Sequence, residues 1–97
     1  KRLVMTPKQK EDLILKAISY YGIQSQYDQF HEEVGELMTK LNHFKRNRCS
    51  LEDVIEEIVD VEQMLNAIKL LHNIPEDLYQ IIEEKQYQKL KENMEKK

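Results

Sequence analysis

Two acidic signatures on helical frames constrain this chain more than any other feature. Glu32-Glu33-Val34-Gly35-Glu36 is answered further on by Glu56-Glu57-Ile58-Val59-Asp60, the same pattern with aspartate in last place. Both lie in stretches whose apolar residues recur at helical intervals, so each projects carboxylates from one side of a helix about one turn apart. Two such helices laid side by side gather hard oxygen donors. Magnesium and manganese take donors of that kind, with waters or phosphate oxygens completing the shell.

The second signature carries the sharper physical argument. From Cys49 to Ile68 the chain has Glu52, Asp53, Glu56, Glu57, Asp60 and Glu62 but no Lys or Arg. The like-charge pairs 52/56, 53/57 and 56/60 each disfavour the helix by roughly 0.2–0.5 kcal/mol. Something outside the helix should offset that repulsion. Projected at 100° per residue, Leu51, Val54, Ile55, Ile58, Val61, Leu65, Ile68 and His72 form the expected inward stripe, with Glu57 and Asp60 interrupting its apolar flank beside Met64 and Leu71. On the first helix the stripe is Tyr27, Phe30, Val34, Leu37, Leu41 and Phe44. Glu33 and Glu36 stand to Val34 as Glu57 and Asp60 stand to Ile58. These four carboxylates are the expected inner metal ligands, with Glu32 and Glu56 as outer ligands or supporting groups. A solvated acidic face is the competing reading, and the repeated pattern in matching register is what weighs against it.

Ninety-seven residues make a single domain, 1–97, with a core small enough that association is expected. The 40% apolar content, two glycines, two prolines and absence of tryptophan suit an all-α fold, a bundle of about four helices oligomerising through long amphipathic ones. A net charge of −3 gives no basic footprint for nucleic acid. No apolar run is long enough to span a membrane, and no secretory signal pattern follows Lys1-Arg2. The single Cys49 rules out an internal disulfide and fits a reducing, cytoplasmic compartment, with the thiol as a packing group between helices.

Along the chain, Thr6-Pro7 opens a first helix that Gly22 ends, with Leu13, Ile14, Ala17, Ile18 and Tyr21 as its stripe. A second helix is expected from a cap at Ser25 to about Arg46, with Gly35 at a close helix crossing. Lys45, Arg46 and Arg48 form a basic hinge suited to a helix C-terminus or to phosphate. Ser50 and Asp53 read as a capping box for a third helix over about 51–72. Asn73-Ile74-Pro75 starts a fourth, whose Lys85, Lys89 and Lys91 are solvated or meet phosphate. Residues 1–5 and about 92–97 are expected to fray. No glycine-rich phosphate loop, Ser/His/Asp order, CxxC pair or ExxH pair occurs.

EExxE, a spacer with basic residues, then EExxD and an apolar helix resembles the MazG-like all-α nucleoside triphosphate pyrophosphohydrolases, relatives of the dimeric dUTPases. The resemblance covers roughly Ile23 to His72. It implies hydrolysis of the α–β phosphoanhydride bond of a nucleoside triphosphate in nucleotide-pool housekeeping, giving a monophosphate and pyrophosphate. It implies magnesium on Glu33, Glu36, Glu57 and Asp60; the donor chemistry also admits manganese, and the chemistry of a metal-bound water makes Glu32 or Glu56 the candidate catalytic base. Lys45, Arg46, Arg48, Lys85 and Lys89 are the candidate phosphate contacts, and a homodimer or homotetramer is implied. Gln29 and Phe30 stand where members often carry a lysine, and Lys85 is followed four residues on by Lys89 rather than Asn. A non-catalytic nucleotide- or metal-binding module, or a structural or regulatory bundle, are the alternatives.

Overall fold

The computed structural model describes residues 4–96. They form four helices and, among the described residues, no strand: α1 (Pro7–Tyr21), α2 (Ile23–Lys45), α3 (Leu51–Leu71) and α4 (Glu76–Glu95). The expected loose start over residues 1–5 lies mostly outside the described residues, as does Lys97.

Local chemistry sets the helix ends. Thr6 Oγ1 accepts from the Gln9 backbone N–H at 3.1 Å while the Gln9 side chain accepts from Thr6 N–H at 2.8 Å, and Pro7 occupies the first turn where its missing N–H costs nothing. Ser50 and Asp53 close the same reciprocal box at the start of α3, at 3.1 and 3.0 Å. The start of α2 differs from expectation. Gly22, at φ 92°, ends α1 and opens α2 within one residue, so α2 begins at Ile23 and Ser25 lies inside its first turn. A side chain would be strained at that φ, and glycine is not. Between α2 and α3, Asn47 takes the left-handed conformation at φ 58°, and its N–H and that of Arg48 satisfy the carbonyls of Phe44 and His43.

The short turn makes α2 and α3 antiparallel neighbours, and their contact is the centre of the molecule. Cys49 Sγ donates to the Lys40 carbonyl at 3.4 Å at one end of the pair, and the Tyr27 hydroxyl meets His72 Nε2 at 2.7 Å at the other. Between these ties, α3 buries Val54, Glu57, Met64 and Ala67, and α2 buries Gln26. Phe30, Glu33, Leu37 and Lys40 of α2 are half-buried. This seam is rotated from the stripe that hydropathy selects. Leu51, Ile55, Ile58 and Leu65 keep 54, 48, 41 and 44% of their surface exposed, while the flank holding Glu57, Asp60, Met64 and Leu71 faces α2. Helix α3 is apolar over more than half its circumference, so periodicity alone does not say which arc meets the neighbour. On α2, Leu41 and Phe44 are likewise exposed.

Helix α1 packs across α2 and α3 with Ile14, Ala17 and Ile18 turned inward, and leaves Leu13 and Tyr21 exposed. Helix α4 packs along none of the other three. Only its first turn approaches the body, where Lys69 Nζ lies 4.0 Å above the Tyr79 ring. The radius of gyration is accordingly 16.7 Å, against about 13 Å for a compact chain of this length. Gly35 marks no close crossing, since a Cβ built on it meets nothing within 4 Å.

Candidate metal centre

Residues Glu33 and Glu36 sit midway along α2, and Glu57 and Asp60 midway along α3. Because the helices run antiparallel, the two signatures come level with each other. One carboxylate oxygen from each of Glu33, Glu36 and Glu57 lies within 4.8 Å of the other two. Asp60, half-buried, is close enough for its charge to act on both Glu33 and Glu57.

Glu57 is the unusual member. It keeps 9% of its surface, and its Oε2 is buried with no hydrogen-bond partner among the described residues. A buried acceptor left unpaired costs free energy that neighbouring packing cannot return. Its carboxyl is held above the usual range, first by burial, then by the charge of Glu36, a hydrogen bond with Glu36 and the charge of Asp60, with Lys40 pulling the other way. Glu33 is pushed up to about 7 by burial first, then by a hydrogen bond with Glu36 and by repulsion from Asp60, Glu36 and Glu57. The cluster therefore retains protons at a pH where isolated carboxyls have lost them.

A divalent cation would supply what the cluster lacks. Octahedral magnesium, with bonds of about 2.0–2.1 Å, sets its ligand oxygens about 3 Å apart at right angles and about 4 Å apart across the ion. Oxygens as far as 4.8 Å apart would close by about 0.8 Å to stand across the ion and by up to about 2 Å to stand at right angles, a movement that rotation of two glutamate side chains can share. The donor set is all carboxylate, which suits magnesium or manganese over softer metals.

Other residues singled out from the sequence lie elsewhere. Glu32 and Glu56 are exposed and are not among the three residues whose oxygens converge. Lys45, Arg46 and Arg48 are exposed at the far end of α2, with Lys45 about 13 Å along the axis from Glu36 at 1.5 Å per residue. Lys85 and Lys89 are on the outlying α4 and do not approach the cluster within one chain. Conversely, Gln26 and Lys40 enter the seam although the sequence reading did not nominate them. Gln26, Glu33 and Lys40 fall at seven-residue intervals, so they share one line along the face of α2. That spacing was the signal available.

Compared with known proteins, the chain matches no family model, no curated protein and no solved structure.

Proposed function

We propose that this chain is a metal-dependent nucleoside triphosphate pyrophosphohydrolase whose divalent ion is held by Glu33, Glu36, Glu57 and Asp60. The observation that carries the metal reading is Glu57, almost fully buried, with its Oε2 lacking a hydrogen-bond partner among the described residues and one of its carboxylate oxygens converging with those of Glu33 and Glu36. The reaction class is supported by the resemblance of the paired EExxE and EExxD motifs, which lie level on adjacent antiparallel helices.

Bound there, magnesium or manganese would offset the cluster's repulsion, polarise phosphoryl oxygens and lower the pKa of a bound water. The chain's own residues supply the rest. Glu33 and Glu57 anchor from the dry side of the seam, and Glu36 and Asp60 complete the donor set from its more open edge. Glu32 or Glu56, exposed one residue before an inner ligand in each motif, accepts the proton of the attacking water. A single thiol and a nucleotide substrate suit the cytoplasm.

A second copy of the chain belongs to this reading. Just three apolar residues, Val54, Met64 and Ala67, are buried among those described, and the outward face of α3 and the length of α4 both offer apolar surface to a partner. Pairing through α3 would complete a bundle and bring α4 lysines of one copy toward the other. The separation of Lys85 and Lys89 from the cluster within one chain favours the non-catalytic binding module if no such copy is present.

Pyrophosphate release from a panel of (d)NTPs, with magnesium, manganese or chelator, tests the proposal. Metal-dependent release is expected, and Glu57→Ala or Asp60→Ala should reduce it at least about 100-fold with helicity retained. Release from no nucleotide with either metal would overturn the enzyme reading.

A further inference from the structure

Resting on the metal reading above, we infer that Lys40 is the residue of this chain that binds the phosphate chain of the metal's ligand. The charge arithmetic requires such a group. Four carboxylates around one divalent ion leave a net charge of about −2, and a polyphosphate adds more negative charge. A cation beside the metal is needed to hold it.

Candidates are few. Between Ile23 and Phe44 the sole Lys or Arg is Lys40, and between Leu51 and Ile68 there is none. Lys69, the next cation along α3, lies on the ring of Tyr79. Lys40 is one helical turn beyond Glu36, about 6 Å along the axis, and on the same line of α2 as Glu33. Opposite it on α3 stands Asp53, one turn before Glu57. Its stem is half-buried in the seam, and its carbonyl is tied to Cys49 Sγ at 3.4 Å, which fixes that turn of α2 against the α2–α3 connection.

What distinguishes Lys40 from a lysine placed merely to balance charge is that its ammonium is not spent. Among the described residues it makes no ion pair within 4.0 Å; the two pairs recorded there are Lys8–Asp12 and Lys91–Glu95. On the facing helix, the Asp53 carboxylate already accepts from the Ser50 backbone N–H at 3.0 Å, while the Asp53 N–H donates to the Ser50 hydroxyl at 3.1 Å. Its charge acts on Glu57 of the cluster as well as on Asp53, so an anion bridging to the metal would meet an ammonium that is not already held in an ion pair. The hinge residues Lys45, Arg46 and Arg48 lie too far along the helix to take that role in one chain.

Inorganic tripolyphosphate is the probe, because it carries the phosphate chemistry without a base or sugar. Its binding in the presence of Mn2+ should be measured by titration calorimetry for the wild-type chain, Lys40→Met and Lys40→Arg, alongside Mn2+ alone. Lys40→Met should weaken tripolyphosphate binding about tenfold or more, while Mn2+ alone binds as well or better. Lys40→Arg should restore most of the loss, and circular dichroism of all three should coincide. Lys40→Met binding tripolyphosphate as tightly as wild type would overturn the inference and leave the metal site standing, as would wild-type uptake of Mn2+ without tripolyphosphate. Uptake of neither by the wild type would sink both readings.

Discussion

Helix α3 has two faces, and they are built the wrong way round for a free-standing domain. The face turned to α2 carries Glu57 and Asp60 among Val54, Met64 and Ala67, while the face turned outward carries Leu51, Ile55, Ile58 and Leu65. Burying the second face and exposing the first would be the cheaper arrangement, since a buried carboxyl with a bare oxygen is costly and buried aliphatic surface contributes roughly 25 cal/mol per Å². The difference teaches that stability alone does not account for this packing. On the proposed reading, the inner face would hold a cation and the outer face would meet another protein surface.

The largest test of that contrast lies on the outer face. Ile58→Glu should convert an assembly of at least twice the 11.7 kDa chain mass into single chains, read by light scattering during size exclusion, because a charge at the middle of an apolar interface costs several kcal/mol. Glu56→Gln, a neighbouring exposed change, should leave the mass unaltered. A wild-type chain that is monomeric at all concentrations would show that the outer face has no self-partner.

The inner face makes a smaller, pH-dependent prediction. Glu33 titrates near 7 in the folded protein and near the ordinary 4.5 when unfolded, so the folded state holds the extra proton between those values. Stability from this group is therefore fully present below about pH 4.5 and is lost as pH rises through about 7. The metal-free protein should melt at a lower temperature at pH 8 than at pH 5.5, by several degrees, and Glu33→Gln should flatten that slope. Metal should reverse its sign, because binding requires the carboxylates ionised.

Much of this was legible in the sequence where the cause is local. The reciprocal caps at Thr6 and Ser50 depend on residues three apart, and so does the convergence of Glu33 and Glu36 on one side of α2. The level placement of Glu57 followed from two helices joined by a short turn. What periodicity did not give was the rotation of α3, because its apolar arc is broad enough to fit two different seams. Ser25 drew the start of α2 too late because Gly22 turns the chain in a single residue. Lys40 is not marked out by the sequence because its place depends on the rotation of the α2–α3 seam, and a lone lysine seven residues after Glu33 looks like any solvated one.

The central claim is that the seam between α2 and α3 exists in this form to hold a divalent ion. Thermal unfolding of the wild-type chain and of Glu57→Leu, each with chelator and with millimolar Mn2+, tests it most directly. The account predicts that Mn2+ raises the wild-type melting temperature, as a ligand of the folded state must. It predicts that Glu57→Leu melts higher than wild type in chelator, since an aliphatic group replaces a buried carboxyl that has one unpartnered oxygen and lies among like charges, and gains nothing from Mn2+. A wild-type melting temperature indifferent to Mn2+, or a Glu57→Leu variant stabilised by it as much as wild type, would contradict the account.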